Sequence, residues 1–547
     1  MKIVKPDPIT TTGYVTRTGT ATYYDSSGYL KTSTAGALRF GYNPRSLEFN
    51  GLIIEQSSTN LALQSAAFNS TSWTKTNIAT VTADTELAPT NTQIAEKLVP
   101  TTTSGLHAVT QVFTTSASAG QNYTVSVFAK SAGYDWLKVQ FDNHYCFFNI
   151  KTGYVGTVSD AGNKTEIEQL PNGWFRVSMS RQITSTGNLT AGFYLHSLDN
   201  QSNWSGNTTS GIALYGAQAE LKSKMTSYID TTTATVSRAA EVITGSGLLY
   251  TNVTNPYSEW SSATTYSLGQ IVVVGTYTGS NIVDVTNSGT YKSLTNSNLN
   301  NNPVTSPTSW VRIGPTNQFA VFDNVISSST VKDSDIIFVV KSTSVDSIAV
   351  LNSISDKINC AVSDASYSET FLYNIAYSRT TQLNGSESID WFSYFFFDEY
   401  VQKTQAIYLD IPQVSNGIVS VKIAGTVNVT AGSFVEGQMK ALGATQYGAS
   451  AGITDYSKKE VDEFGNTVLV VRNYSKRMQA KMFLNNSNLN TVQRILYSIR
   501  ATPVLWIASD DSQLEEPLIV MGYYKDFDTE IAYPAHSLCN LTIEGLI

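Results

Sequence analysis

Four acids crowd into the stretch "DYSKKEVDEFG": Asp455, Glu460, Asp462 and Glu463. Glycoside hydrolysis needs two carboxylates about 5–9.5 Å apart across a sugar bond, one an acid and the other a base or nucleophile. Here Lys458 and Lys459 alternate with the acids and Gly465 follows in a turn, so the stretch reads first as a salt-bridged charged hairpin. Acid counts alone do not make a site. The run "SDDSQLEEP" reads as a solvated loop. The four histidines, His107, His144, His196 and His536, sit in no nucleophile elbow. The chain has no G-x-S-x-G, no H-E-x-x-H, no paired Cys/His spacing and no phosphate-cradling G-x-x-x-x-G-K-[ST]. The expected catalytic set is therefore empty, and the chain reads as a non-enzyme.

Binding chemistry is better represented. The apolar face of a sugar ring packs on indole or phenol, while amides and carboxylates read its hydroxyls. Trp204 lies in "NQSNWSGNTTSG", a polar loop, and is the candidate for an exposed ring in the first half of the chain. Trp73, Trp136 and Trp174 fall in strand-like patterns and are expected in a core. Trp260, Tyr266, Tyr291 and Trp310 cluster in one short segment as further glycan-binding candidates. A module of about 60 residues has little else to bury, so some of these four must be core. No cofactor is expected. A structural calcium is entertained at Asp84, Asp199 and Glu220, because hard cations take oxygen ligands with little sequence signature, although ordinary loop acids explain all three.

Composition narrows the partners. Only 14% of the 547 residues are charged, and Ser, Thr, Asn, Gly and 30 tyrosines must supply the polar surface. Thr and Tyr suit pleated strands. A net charge of −8 gives no basic footprint for nucleic acid. No apolar run is long enough to span a membrane as a helix, and the first residues, "MKIVKPDPITTTGY", lack the apolar region of a signal peptide. Cys146, Cys360 and Cys539 are odd in number and far apart, which argues against a disulfide framework.

The elements that must position these residues are strands. Alternation is clear in "NYTVSVFAK", "WFRVSMSRQI" and "GIVSVKIAG", and turn signals such as "KTGY" and "LPNGW" separate such runs. One segment has helical spacing: "LNTVQRILYSIRATP" places Val492, Ile495, Leu496 and Ile499 on one face, with Asn490 as N-cap and Pro503 beyond the end. The expectation is an all-β, multidomain β-sandwich or jelly roll with a small β module and one short helix in the C-terminal block. Texture sets the boundaries: a β-rich arm over 1–50, a sandwich over 51–240, a linker over 241–255, the small module over 256–318 and a second β-sandwich block over 319–547. In "GLIIEQSSTNL", Glu55 ends an apolar run and has no second acid nearby, so it reads as part of a brace. A buried carboxylate must be paired, by backbone N–H groups or by an arginine, Arg45 or Arg238.

The order of motifs carries a resemblance. "GLIIEQSSTNL" is followed by "YTVSVFAKSAGYDWLKVQF", "LPNGWFRVSMS" and "IALYGAQAELKSKMTSYIDTTTATVSRAAE". This succession resembles the carbohydrate-binding-like jelly roll of tailed-phage virion proteins, with its G-L-x-x-E-x-x-x-T-N-L opening and W-G-A-Q-x-E…S-Y-I…R-x-A-D close. Tyr215 stands for the usual Trp and Glu241 for the usual Asp. The segment holding Trp260, Tyr266, Gly269, Val272, Tyr291, Pro303 and Trp310 is similar to small chitin-binding-type modules, with Gln270 where that family has Asp and with "TYTGSNIVDVTNS" inserted. The block over 319–547, with "DWFSYFFFDEY", "GITDYSKKEVDEFGNTVLVVRNYSKR" and "GYYKDFDTEI", looks like the C-terminal β block of phage tail and baseplate proteins. The resemblance implies a structural virion protein, assembled in the host cytoplasm, in the tail tip, baseplate or fibre. Its implied partners are other virion tail proteins, further copies of itself and host cell-surface polysaccharide. A capsid-decorating head fibre and a polysaccharide depolymerase are the alternatives, the latter without the fixed-period repeat of a β-helix.

Overall fold

The structure is a computed structural model. It describes residues 1–547 except 142, 324, 365–374, 386–390, 397–400, 462–466, 510–514, 532 and 547. The protein is all-β, built from many antiparallel sheets with a few short helices. It divides into two compact units.

One unit comprises Val15–Thr244 with Ser363–Arg379. Its centre is a β-sandwich of two six-stranded sheets. The first runs Lys164–Gln169, Trp174–Gln182, Asn122–Ala132, Gly211–Glu220, Gln93–Pro100, Ile78–Leu87; the second runs Tyr154–Val158, His144–Asn149, Trp136–Phe141, Gly187–His196, Ala108–Ala117, Thr74–Thr76. Period-two alternation makes each strand present one apolar row inward. Val125, Val127, Val177 and Leu214 of the first sheet and Leu137, Val139, Cys146 and Phe193 of the second meet in one buried cluster. Trp73 belongs to that cluster, and Trp174 is buried in a neighbouring one, as expected. Trp136 is not core: it is half-buried on the outer face of the second sheet. Its strand buries Leu137, Val139 and Phe141, so the alternation puts Trp136, Lys138 and Gln140 outside.

The other unit comprises Met1–Tyr14, Gly245–Val362 and Thr380–Ile547. The division departs from an arm over 1–50. Strand Lys2–Pro6 lies inside an 11-stranded sheet, between Val429–Ala441 and Val504–Ile507, where Ile3 and Val4 are buried. A short strand can sit centrally when both of its edges are paired. The segment expected to be a linker also joins sheets: Gly247–Thr251 pairs with Ile336–Lys341, and its Leu248 and Leu249 are buried. The expected helix is present as Leu489–Ser498, burying Val492 and Leu496, with Ile499 at its C-cap. It starts before Asn490, because a 3-10 turn at Asn486–Asn488, capped by the Asn485 side chain on the Ser487 N–H, leads into it. Two further short helices, Trp391–Phe396 and Glu515–Leu518, were not expected; the second falls in the acidic run read as loop.

Candidate functional site

The opening signature folds into a buried clasp. Arg39, whose side chain is fully buried, donates to Glu55 Oε2 at 2.8 Å and to Glu241 Oε1 at 2.6 Å. Arg17 reaches Glu241 Oε1 at 3.1 Å, and Arg238 Nη1 lies 3.2 Å from Glu55 Oε2. The Ser227 N–H donates to Glu55 Oε1 at 2.8 Å, and the Glu55 N–H to Glu241 Oε2 at 2.9 Å. Burial would raise the Glu55 carboxyl, but the charges of Arg238 and Arg39 and the hydrogen bonds from Ser227 outweigh it and hold it at about 2. Of the two arginines expected, Arg238 is a partner and Arg45 is not; Arg45 is exposed. The neighbouring motif residues act alike. Asn60 donates to the Ala217 and Ile229 carbonyls and accepts from the Ala219 N–H. Gln218 accepts from the Ile229 N–H. The first and last motifs of the block thus hold each other, and no open carboxylate is left for chemistry.

The sequence-predicted aromatics turn inward. Trp204 is 7% exposed; its indole N–H donates to the Leu195 carbonyl at 3.0 Å, and its ring packs edge-on to His107 and Tyr134. The expected exposed ring is a core ring. Trp204–Ser205 pairs with Ser104–Gly105, and this short ladder directs the side chain inside while the loop's polar residues stay out. In the small module Tyr266, Tyr291 and Trp310 are buried together with Val272, and Trp260 packs half-buried against them. Trp310 donates to the Asn301 carbonyl at 2.9 Å, and the Tyr266 hydroxyl accepts the Ser261 N–H at 2.8 Å. Tyr266, Tyr291 and Trp310 are spent on the module's own core, as its size demands, while Trp260 keeps part of its ring at the surface. Gln270, in place of the family's Asp, accepts the Ser267 N–H at 2.8 Å.

The candidate acids do not converge. Asp455 is exposed, and hydrogen bonds from Ser457 hold its carboxyl below the ordinary range, the reverse of what a general acid needs. Glu460 pairs with Lys458 at 2.9 Å. Asp462 and Glu463 lie outside the described residues. Of the acids weighed for calcium, Glu220 is saturated by Ser58, Gln218 and Thr226, Asp199 accepts from the Thr157 N–H and hydroxyl, and Asp84 is exposed. Among the described residues no three His, Cys, Asp or Glu side chains gather as metal ligands.

Sequence reading missed two features of the sandwich unit. One is a cleft of about 480 Å³ lined by Asn43, Arg45, Glu166, Glu168, Phe175 and Lys224, among others. Glu166 pairs with Lys224 at 3.2 Å, whereas Glu168 accepts from the Tyr24 hydroxyl at 2.9 Å and is raised by burial. The other is the outer face of the second sheet. Cross-strand register sets Phe147, Lys138 and Tyr194 in one row, and Tyr145, Gln140, Gly192 and Thr110 in the next. Gly192 is required here, because a Cβ would stand 2.8 Å from the Tyr194 ring. The glycine lets that ring lie down across the sheet. Half-buried Trp136, Tyr145 and Tyr194 and exposed Tyr154 make this an aromatic face with amide and hydroxyl groups between the rings.

No family model matches the chain, and no characterised protein matches it in sequence. Among solved structures it is similar to a Paenibacillus sp. cycloisomaltooligosaccharide glucanotransferase complexed with cycloisomaltoheptaose, at 11% identity and a TM-score of 0.19 over 70% of this chain; the match covers 47% of that chain, about half its length. It is also similar to the coconut allergen cocosin, at 8% identity and a TM-score of 0.08 over 69% of this chain and 89% of that one. Likenesses this slight carry no argument about fold or activity.

Proposed function

We propose that this protein is a structural component of a tailed-bacteriophage virion, in the tail tip, baseplate or fibre, and that it attaches to host-surface glycan through its sandwich unit. The observation that carries the attachment reading is the sheet face bearing Trp136, Tyr145, Tyr194 and Tyr154 around Gln140 and Thr110. Rings and hydroxyl-reading groups alternate there on a rigid support, which is what a sugar chain needs. The virion reading rests on the resemblance of the motif order, and the clasp gives those motifs a structural purpose. Weak single sites would suffice, because linked copies raise avidity by ~10²–10⁴. Labelled antibody against the protein should mark the tail of intact particles. The purified protein should bind host cells and lose them when surface polysaccharide is stripped. Particles without label, or binding that survives stripping, would overturn the reading.

A depolymerase is the second reading, favoured by the cleft, where Glu166 and Glu168 share one face of a strand in different electrostatic settings. Oligosaccharide released from host polysaccharide by the protein, and not by Glu168→Gln, would establish it and displace the non-enzymatic role.

A further inference from the structure

We infer that the glycan taken by this sheet face is anionic, and that Lys138 recognises its acidic group while Tyr194 and Tyr145 hold the sugar ring. This rests on the attachment reading above and names the substrate class of the same face.

The argument begins with what surrounds Lys138. The side chain is 8% exposed. Its Nζ lies 4.1 Å from the centre of the Tyr194 ring and 5.2 Å from that of Tyr145. Among the described residues its ammonium meets only these π faces, with no carboxylate and no hydrogen-bond acceptor. Among the described acids that border the sheet, Asp160 is held by Arg181 at 3.5 Å and His144 at 3.8 Å, Asp199 by Thr157, and Asp135 by Ser131 and Lys151. Burying a charge without a counter-ion is costly, and cation–π contact returns only part of that cost. The residue is therefore poorly explained as a stabilising element. Burial lowers the Lys138 ammonium from its ordinary range.

A second unpartnered group lies in the adjoining row. His196 pairs with Trp136 across the strands and is fully buried, with neither ring nitrogen hydrogen-bonded. Burial first, then the charges of Lys138 and His107, holds it at about 4, so it is neutral at pH 7 and adds no second cation beside Lys138. An incoming carboxylate or phosphate would meet a cation that is already desolvated and already oriented, where charge-assisted hydrogen bonds are strongest. Gln140 and Thr110, in the next row, are placed to read ring hydroxyls. The shared chemistry is a sugar bearing anionic oxygens. A uronic acid and a phosphorylated sugar both supply it.

The test is a panel of immobilised polysaccharides: a polyuronate, a phosphorylated dextran, and unmodified dextran with other neutral glycans. The wild-type protein should retain at least one acidic class roughly ten- to hundredfold more tightly than its neutral counterpart, and that preference should fade as salt rises. Which acidic class is held separates the uronate from the phosphate source. Lys138→Met should lose the preference and keep residual neutral binding, whereas Tyr194→Ala should lose both. Glycans bound without regard to charge, an acidic preference untouched by Lys138→Met, or one insensitive to salt would overturn this inference and leave the attachment reading standing. Binding of no glycan at all would remove the attachment reading itself. The salt dependence is read on the wild-type protein, so the proposal stays testable even if a variant fails to fold.

Discussion

The sandwich unit buries charge in two ways. In the clasp, Arg17, Arg39 and Arg238 meet Glu55 and Glu241, and the carboxylates are filled by further donors from Ser227 and the Glu55 N–H. On the sheet face, Lys138 is nearly as buried and, among the described residues, its ammonium has two tyrosine rings and no carboxylate. Desolvation penalises both arrangements, and only the first carries its own compensation. A network closed on itself speaks of holding chain segments together. A charge left open on a face of aromatics speaks of something still to arrive. The contrast also explains why Arg fills the clasp and Lys the face: guanidinium forks bridge two carboxylates at once, while an ammonium on a flexible stem is a point charge that takes one partner.

The largest effect should come from opening the clasp. Arg39→Ala leaves Glu55 and Glu241 facing each other with one shared cation fewer. Truncating one partner of a buried network costs about 3–5 kcal/mol. Urea denaturation of the protein should show the sandwich transition moving to lower denaturant by that amount. A loss below about 1 kcal/mol would mean that the clasp is solvated in solution, and the contrast with Lys138 would disappear.

Acid should reproduce a smaller version of the same loss. The Glu55 carboxyl sits at about 2 in the folded protein against an ordinary value of 4.5. Its folded value is the lower one, so its contribution is complete above about pH 4.5 and is lost as pH falls from there toward 2. A separation of that size is worth about 3 kcal/mol. Thermal melts across this window should fall steeply for the wild type and more gently for Glu55→Gln. Equal slopes would show that other groups govern the acid limit.

How much of this was legible depends on where each partner lies in the chain. The all-β class, the inward rows and the main helix follow from periodicity, which is local. Glu55 as a brace was legible because a carboxylate at the end of an apolar run must find cations. Arg238 was reachable through the closing motif, but Arg39 lies in residues whose texture suggested a separate arm. Trp204 misled because its neighbours are polar, while the two-residue ladder that turns it inward joins segments about a hundred positions apart. The small module shows the same limit in reverse: its rings match a binding pattern, yet size forces them inward. Lys138 was invisible for a related reason. In "WLKVQF" it occupies an outward slot, where a lysine normally points to water. Only the register with Gly187–His196 and His144–Asn149 lays Tyr194 and Tyr145 around it.

The smallest predicted effect is therefore the most discriminating. Lys138→Met keeps side-chain length and removes a desolvated charge that has no counter-ion among the described residues. It forfeits a cation–π contact of about 0.5–2 kcal/mol and relieves a desolvation cost of similar or greater size. Stability should fall by no more than about 1 kcal/mol, or rise, in the same urea experiment that shows the Arg39→Ala loss. If instead Lys138→Met cost as much as opening the clasp, the lysine would be a structural element with partners of its own, and the reasoning from an unpaired charge to an absent ligand would fail with it. A lysine that stability does not require, held out of water between two rings, is otherwise retained for what it binds.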